Sequence, residues 1–364
     1  ASSDQSLDID QRMMKRALAV ARRGSGYTNP NPAVGALLVK EGAIVGRGWH
    51  RQAGAPHAEV EAIQDAGPQA SGATLYVTLE PCNHHGRTPP CVDAILRAGI
   101  RRVVIARGDP NPGVQGGGAE RLRAAGVEVR SGVLAREAQE LNVGWEHWIQ
   151  SGRPYLVVHA VVSIDGRVRC AAGKPLELAS KVARSHYRRL HRLAQAELID
   201  LRAAFGPMPG AEAGAVKRPY RILVAPLLDG LLGKAERPSV DLVVCSSGAS
   251  AEARRSLEHV GIETLPLAEG AEGAAYGILL AELGRRGLQS VVCENSELGA
   301  ALLAAKLPQR LYLHRVPTLV GTAGTPFWPL ETAAPRLTPL WTRRVGSDAF
   351  TVYEVGDVEQ LEAV

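Results

Sequence analysis

The fold of this chain is decided by residues 73–82, Ala-Thr-Leu-Tyr-Val-Thr-Leu-Glu-Pro-Cys, which read as a short apolar strand that ends in a Pro-Cys pair. Open α/β sheets bind ligands at the carboxyl ends of their strands, so Cys82 is expected at a functional edge. Cys91 follows after eight loop residues, and Pro56-His57-Ala58-Glu59 precedes the strand. One imidazole and two thiolates can hold a zinc ion and leave a fourth position open for water, as in catalytic zinc sites.

Glu59 is expected to handle protons and not to bind the metal. It lies two residues after His57, and positions i and i+2 of a helix face different ways. Its carboxylate can still reach a water on the metal and carry the proton of that water. The order His-x-Glu, then Pro-Cys and a second Cys, matches zinc-dependent nucleobase deaminases, although eight residues and not two separate the cysteines here. Each residue alone is commonly a surface or packing residue, but together they predict a zinc site.

The bulk composition excludes several classes of protein. The chain has 364 residues, enough for two domains, and 45% of them are apolar. No run approaches the ~18 apolar residues of a membrane span, and no signal peptide is visible. Five cysteines, an odd number, favour a reducing cytoplasm. The net charge of +5 suits an anionic small substrate, and only 4% aromatic residues argue against a base-stacking surface.

Strand and helix patterns alternate along the chain, which predicts α/β architecture throughout. Residues 1–150 are expected to form a three-layer domain, and Gly152-Arg153-Pro154 is the natural boundary. Residues 151–364 then form a second α/β domain. Within it, the pattern predicts one long basic helix over 180–201.

The first domain resembles the bacterial riboflavin-biosynthesis deaminase/reductase family, including the eight-residue gap between its cysteines. The motifs that carry the resemblance are Asn-Pro-x-Val-Gly (31–35), Gly-x-Gly-x-His (46–50), His-Ala-Glu (57–59), Thr-Leu-Glu-Pro-Cys-x-His-x-Gly-Arg-Thr-Pro-Pro-Cys (78–91) and Asp-Pro-Asn-Pro (109–112). In that family the N-terminal domain is cytidine-deaminase-like and removes the ring amine of diaminohydroxyphosphoribosylaminopyrimidine. The C-terminal domain has a dihydrofolate-reductase-like fold and reduces the ribose with NADPH.

The resemblance also implies roles for single residues. His57, Cys82 and Cys91 would bind Zn2+, and Glu59 would transfer protons. Six more residues would bind the substrate: Asn31 would contact the pyrimidine, and His50, His84, Arg87, Asp109 and Asn111 would contact the ribose and phosphate. Without the resemblance, Asp109 and Asn111 would be read as the residues of a turn between prolines.

The second half departs from the family pattern. Ser163, Asp165, Arg184 and Glu294 remain as remnants of a cofactor site, but His159 stands where the family has Lys. The family's Glu-Gly-Gly turn reads Glu294-Asn295-Ser296, and the Asp-containing substrate segment is missing. Lost glycines place side chains where the backbone must approach phosphates. These departures predict a folded domain that no longer reduces, leave NADPH binding doubtful, and suggest a role in forming a homodimer.

Three functions follow from this reading. The first is a riboflavin-pathway deaminase with a degenerate reductase domain, and the second is the full bifunctional enzyme. The third is a nucleic-acid base deaminase, which would need a basic groove and stacking aromatic residues. The expected partner is a small phosphoribosylaminopyrimidine, with no nucleic acid and no membrane.

Overall fold

The structure, a computed structural model, describes residues 2–84, 89–112, 117–205, 218–225, 228, 238–268, 272–294, 296–328 and 335–356. The chain divides into two compact units, Ala1–Gly152 and Arg153–Val364, called unit 1 and unit 2 here. Arg87, a predicted substrate-binding residue, lies outside the described residues, as do residues 206–217.

Unit 1 contains one five-stranded sheet with the strand order β2-β1-β3-β4-β5. Its strands are β1 (Gly35–Lys40), β2 (Ala43–Trp49), β3 (Thr74–Val77), β4 (Arg102–Ile105) and β5 (Glu128–Ser131). β1 is antiparallel to both β2 and β3, whereas β3, β4 and β5 run parallel. The helices are α1 (Ser2–Ala21), α2 (Ala58–Ala66), α3 (Cys91–Arg97), α4 (Gly118–Ala124), α5 (Ala135–Leu141) and α6 (Val143–Ser151).

Helices cover both faces of this sheet, which confirms the predicted three-layer α/β fold. On one face, α2, α3 and α4 bury an apolar cluster that includes Ala62, Ile95 and Leu122. On the other face, α1 and α5 pack through Met14 and Ala138. Successive side chains of a strand point to opposite faces, so one short apolar strand such as β3 contributes side chains to the apolar clusters on both faces of the sheet.

The glycines of residues 46–48 bring α2 into direct backbone contact with β2. A Cβ atom on Gly48 would lie 2.1 Å from the backbone oxygen of Ala58, and one on Gly46 would lie 2.3 Å from that of Ala62. Side chains at these positions would push the helix away from the sheet. The Gly-x-Gly motif therefore fixes the position of α2, whose first turn carries Glu59.

Asp10 ties α1 to three strands of the sheet. Its carboxylate is 1% exposed and accepts hydrogen bonds from both terminal nitrogens of Arg102, at 2.8 and 2.9 Å. Arg130 and the Tyr76 hydroxyl add bonds of 3.0 and 2.9 Å. Burial alone would raise the pKa of Asp10, but the hydrogen bonds from Arg102 and Tyr76 lower it further than burial raises it.

We expect Asp10→Asn to lower the free energy of unfolding of unit 1 by about 2–3 kcal/mol, because a hydrogen-bonded charge among two guanidinium groups is lost. The carboxyl has a lowered pKa in the folded state, so its contribution is present at neutral pH and is lost as the pH falls through that pKa. Urea unfolding of both proteins at pH 7 and below pH 4 measures the difference. Asp8→Asn, at an exposed position of the same helix, is the control; an equal loss of stability there would show that the Asp10 network is not responsible.

Unit 2 contains a nine-stranded sheet with the order β11-β10-β9-β8-β12-β6-β13-β16-β15, and β7 pairs with β14. Its strands are β6 (Tyr155–Val162), β7 (Arg167–Arg169), β8 (Ala196–Ile199), β9 (Tyr220–Val224), β10 (Leu242–Ser246), β11 (Glu263–Leu267), β12 (Ser290–Cys293), β13 (Arg310–Arg315), β14 (Thr325–Pro326), β15 (Arg336–Val345) and β16 (Asp348–Gly356). Its helices are α7 (Lys181–Leu193), α8 (Leu201–Ala204), α9 (Ala251–His259), α10 (Glu272–Arg285) and α11 (Ser296–Ala304).

The predicted long helix over 180–201 is wrong in its second half. The chain becomes extended at Ala194, and the four residues Ala196–Ile199 form the buried strand β8 between β9 and β12. Ala, Glu and Leu favour a helix locally, but pairing with two neighbouring strands outweighs that preference. Within the described residues, no helix is both long and apolar enough to cross a membrane.

Candidate metal centre and substrate cavity

His57 is positioned by the start of α2. It is the N-cap of this helix, with an extended backbone (φ −72°, ψ 161°), and it follows Pro56. Two acidic residues, Glu59 and Glu61, occupy the first turn, where the positive end of the helix dipole favours carboxylates. This arrangement aims the imidazole out of the helix and leaves Glu59 on the adjacent buried face.

The two cysteines come from the end of β3 and the start of α3. Cys91 is the first residue of α3 and is fully buried, and its backbone N–H donates to the Cys82 sulfur at 3.3 Å. His57 Nδ1 lies 3.1 Å from the Cys91 Sγ and 3.6 Å from the Cys82 Sγ. Three ligand atoms separated by 34 residues of sequence therefore meet within 4.8 Å of one another.

These three side chains fit a zinc ion. Their types are those of a three-ligand zinc centre, and among the described residues no other group of three potential ligands meets the same distance criterion. Hydrogen bonds from Cys91 and His57 outweigh burial and lower the pKa of Cys82, so one thiolate forms without extra base. A thiolate is the form of cysteine that binds metal.

Glu59 is buried beside this set of ligands. Its side chain is 3% exposed, and its carboxylate contacts the Cys91 thiol. Burial raises the pKa of Glu59 to about 7, although the nearby His57 opposes the shift. A carboxyl group that titrates near neutral pH can both accept and return a proton.

A cavity of about 530 Å3 opens above the three ligands. Its lining includes the predicted residues Asn31, His50, Glu59, His84, Asp109 and Asn111, together with Trp145, Trp148 and Ile149 of α6. The lining thus combines two candidate metal ligands, His57 and Cys82, and polar side chains with the apolar side chains of α6. A small ring with a polar substituent fits a cavity that has both polar and apolar lining residues.

His50 holds Asn31 and is itself fixed by the backbone. The His50 Nδ1–H donates to the Pro56 oxygen at 3.1 Å, and Nε2 accepts from the Asn31 amide at 3.0 Å. Burial lowers the pKa of His50, which keeps the ring neutral and therefore able to accept. Both ring nitrogens have protein partners, so the structure supports an orienting role for His50.

Comparison with known proteins is consistent with this geometry. The zinc-binding region of cytidine and deoxycytidylate deaminases matches residues 7–107, and the RibD C-terminal domain matches residues 154–351. The riboflavin biosynthesis protein RibD of Aquifex aeolicus is 43% identical over 268 residues, which cover 71% of this chain and 74% of that protein. RibD of Escherichia coli is 36% identical over 326 residues, covering 86% and 89% of the two chains. The chain belongs to the RibD family.

Solved structures of the family extend the likeness along the whole chain. A diaminohydroxyphosphoribosylaminopyrimidine deaminase/5-amino-6-(5-phosphoribosylamino)uracil reductase from Thermotoga maritima matches with a TM-score of 0.81 and 28% identity, covering 96% of this chain and all of that one. Acinetobacter baumannii RibD matches with a TM-score of 0.79 and 29% identity at the same coverage. These findings confirm the predicted family, the fold class and a zinc-dependent deaminase. They favour the bifunctional alternative over a deaminase with an inactive second domain.

Other residues predicted for a RibD substrate are placed less completely. His84 is exposed at the cavity, and Arg87 lies outside the described residues. Asp109 is half-buried, and its Oδ1 accepts from the Asn111 backbone N–H at 2.9 Å, so the two residues do build the turn. Burial raises the pKa of Asp109. Their side chains nevertheless face the same cavity as His57.

Sequence analysis missed the contribution of the α5–α6 junction. Asn142 is buried, and its amide bonds both backbone groups of Ala33, at 2.8 Å to N–H and 2.9 Å to C=O. This pairing fixes the chain two residues after Asn31. The helical spacing of Trp145, Trp148 and Ile149 was the available signal for the apolar lining, but the spacing alone does not show what it faces.

The four residues predicted as cofactor-site remnants in unit 2 have local partners. Ser163 donates to Asp165 at 2.7 Å, and Asp165 accepts from the backbone N–H groups of Val320 and Gly321. Arg184 donates to the Leu178 oxygen at 2.9 Å. Glu294 accepts from the Tyr187 hydroxyl at 3.0 Å.

Proposed function

We propose that unit 1 removes the ring amine of diaminohydroxyphosphoribosylaminopyrimidine by hydrolysis, and that unit 2 reduces the ribosyl group of the product with NADPH. The observation that carries the first step is the convergence of His57, Cys82 and Cys91 beside a cavity that is lined by His57, Cys82 and the buried Glu59. The second step is supported by the match of residues 154–351 to the RibD C-terminal domain.

Different residues of unit 1 are proposed for metal binding, proton transfer and substrate binding. A zinc ion held by His57, Cys82 and Cys91 would act as a Lewis acid and lower the pKa of water from 15.7 towards ~7. Glu59 takes the proton of the attacking water and returns it to the departing amine, which leaves as ammonia. Asn31, oriented by His50, offers its amide oxygen and second N–H to the pyrimidine. His84, Arg87, Asp109 and Asn111 are proposed for the ribose and phosphate.

Product analysis with the purified protein tests both steps. Incubation with the diaminopyrimidine substrate should release ammonia without NADPH, and added NADPH should then be oxidised as the ribosyl group becomes ribityl. Ammonia release without NADPH oxidation would leave the deaminase as the single function of the chain. If neither ammonia release nor NADPH oxidation is detected, both proposed steps are excluded.

Removal of the thiol ligands should remove the metal. We expect a Cys82→Ala, Cys91→Ala double variant to lose nearly all of the zinc that the unaltered protein binds, about one ion per chain, because one imidazole does not retain zinc. Elemental analysis after dialysis measures the content. Cys170→Ser, at a partly exposed position of unit 2, should keep its zinc. Full zinc content in the double variant would place the metal elsewhere.

Asn142 should affect substrate affinity more than turnover. We expect Asn142→Ala to raise KM for the pyrimidine about tenfold, since loss of the Ala33 pairing frees the Asn31 segment at a cost of about 1–1.5 kcal/mol. Steady-state kinetics separate KM from kcat, and Gln150→Ala, exposed on the same helix α6, is the control. A fall in kcat alone would contradict a role in holding the Asn31 segment.

A homodimer through unit 2 is also proposed. It is supported by β15, the last strand of the sheet order, which exposes Leu337 and Trp341. Long exposed edge strands with apolar side chains readily pair with another chain. Sedimentation velocity of the full chain gives its oligomeric state.

A further inference from the structure

Four histidines form a continuous row through the core of unit 2. His159 on β6 lies at the centre, with Nδ1 2.9 Å from His191 Nε2 and Nε2 2.9 Å from His314 Nδ1. His314 Nε2 in turn lies 3.3 Å from His186 Nδ1. The row spans α7, β6 and β13, because the parallel pairing of β6 with β13 places Tyr312 opposite His159 and His314 two residues further along the same face.

The hydrogen bonds of this row, called the histidine row here, all point in one direction. At its outer end the guanidinium of Arg343 contacts His186 Nε2, and a guanidinium can only donate. His186 Nε2 must therefore accept, so His186 donates from Nδ1 to His314, and the same assignment repeats through His159 and His191. At the inner end the His191 Nδ1–H donates to Glu197 at 3.2 Å and lies 3.7 Å from Glu294. Each ring is the Nδ1–H tautomer, and every ring nitrogen has a partner.

Three of the four rings are buried. His159, His314 and His191 are 1%, 0% and 5% exposed. Burial lowers the pKa of His159 well below its usual value and lowers that of His314 to about 3. The Tyr187 ring stacks on both His159 and His191 with centroids 4.2 Å apart. Apolar side chains would fill this core without the cost of burying polar groups.

The inner end of the row lies where an α/β sheet binds ligands. Glu294 directly follows β12, at the carboxyl end of a strand that runs parallel to both β6 and β8. Its side chain is 25% exposed, whereas Glu197 is almost fully buried. Burial raises the pKa of Glu294, although His191 opposes the shift, so this carboxyl can hold a proton near the sheet edge. The outer end at His186 and Arg343 reaches the protein surface.

We propose that the histidine row is a proton path that resupplies the Glu197–Glu294 pair with the proton consumed when unit 2 reduces its substrate. This inference rests on the proposed reductase function. In that step, a bound reduced nicotinamide would supply a hydride to C1 of the ribosyl group as the bond from C1 to the ring oxygen breaks. The ring oxygen would keep the electron pair of that bond and take one proton from Glu294. The cofactor would leave oxidised, so one hydride and one proton would be consumed for each turnover.

The carboxylate then regains its proton along the histidine row, because the hydrogen bonds of the row point towards it. His191 passes its Nδ1 proton to the carboxylate pair, and the protons of His159, His314 and His186 each move one ring inward. His186 takes a proton from solvent at Nε2 when Arg343 swings away. Every transfer runs along a hydrogen bond that already points inward, and it leaves each ring as the Nε2–H tautomer. A flip of each ring about its Cβ–Cγ bond then turns the remaining N–H inward again.

The test uses the full chain with two variants and a matched control. His159→Gln keeps an amide donor and acceptor at the centre of the row but cannot pass a proton. We expect kcat for NADPH oxidation to fall about 10²-fold, as for a lost proton-transfer step, with KM for NADPH unchanged and a larger solvent deuterium isotope effect. The His186→Ala variant should show the same fall in kcat for NADPH oxidation, and added free imidazole should restore kcat. His259→Gln, exposed on α9, should behave like the unaltered protein.

A second readout needs neither cofactor nor turnover. In 15N spectra of the cofactor-free protein, His159, His186, His191 and His314 should all be neutral Nδ1–H tautomers. Nε2–H tautomers at His159 or His314 would overturn the path. Unchanged kcat and isotope effect in a folded His159→Gln variant would overturn it as well, while leaving the reductase in place. If the unaltered protein does not oxidise NADPH, the reductase proposal fails, and the path fails with it.

Discussion

Glu59→Gln is expected to lower the rate of deamination by about 10²–10⁴-fold, the usual contribution of a general acid–base group, while zinc content stays the same. Glutamine has nearly the shape of glutamate but cannot shuttle the proton between water and the leaving amine. The side chain is buried, so no solvent molecule takes over its role. It contacts the Cys91 thiol but is not one of the three clustered ligands, so the metal should remain.

Ammonia release and elemental analysis on the same preparation check this expectation together. Glu61→Gln is the matched control, because Glu61 lies on the same turn of α2 but pairs with Arg51 at the surface. Near-normal turnover in Glu59→Gln would assign the proton transfer to another group. Loss of zinc together with activity would instead make Glu59 part of the metal site.

Unit 2 is expected to lose at least about 2 kcal/mol of stability between pH 7 and pH 5. His159 and His314 have pKa values lowered by burial, that of His314 to about 3, whereas an unfolded histidine titrates near 6.5. Below pH 6.5 the unfolded chain therefore binds more protons than the folded chain, and stability falls as the pH falls. His314, with its pKa lowered to about 3, contributes about 2 kcal/mol of this loss by pH 5, and His159 adds to the loss in the same direction. The titratable and charged groups near the two rings are Tyr187, His186, His191, Glu197, Glu294, Arg189 and Arg343.

Hydrogen exchange of the full chain, corrected for the intrinsic effect of pH, measures this loss in peptides from β6 and β12. His159→Gln removes one of the buried imidazoles, so the stability of the variant should fall less than that of the unaltered protein between the two pH values. His259→Gln, exposed on α9, should keep the full dependence. Equal protection of β6 at pH 5 and pH 7 in the unaltered chain would show that the histidine row tolerates protonation when folded.

The local sequence was sufficient to predict the zinc site. His57 and Cys91 stand at helix starts, after Pro56 and Pro90, and Cys82 follows the strand that ends at Val77. Because such signals act over a few residues, they can be read without knowing the fold. The alternation of strands and helices identified both α/β units for the same reason.

Predictions from the local sequence failed where contacts between residues far apart in the chain outweigh local preferences. The stretch 196–199 has the composition of a helix but is a strand, because β9 and β12 hydrogen-bond to it on both sides. Asn142 looked like an ordinary polar residue, and only the fold shows that it pairs with Ala33, 109 positions away.

The sequence by itself determined the family and the α/β class, and it predicted the three clustered residues His57, Cys82 and Cys91 with Glu59, since all depend on motifs with short spacing. Only the tertiary structure decided that His159, read from the sequence as a departure from the family, is the centre of the histidine row. Its two partners lie 32 and 155 positions away, and strand register and helix packing bring them within hydrogen-bonding distance. The direction of a hydrogen bond depends on what lies at each end, and in this row those ends are Arg343 and Glu197.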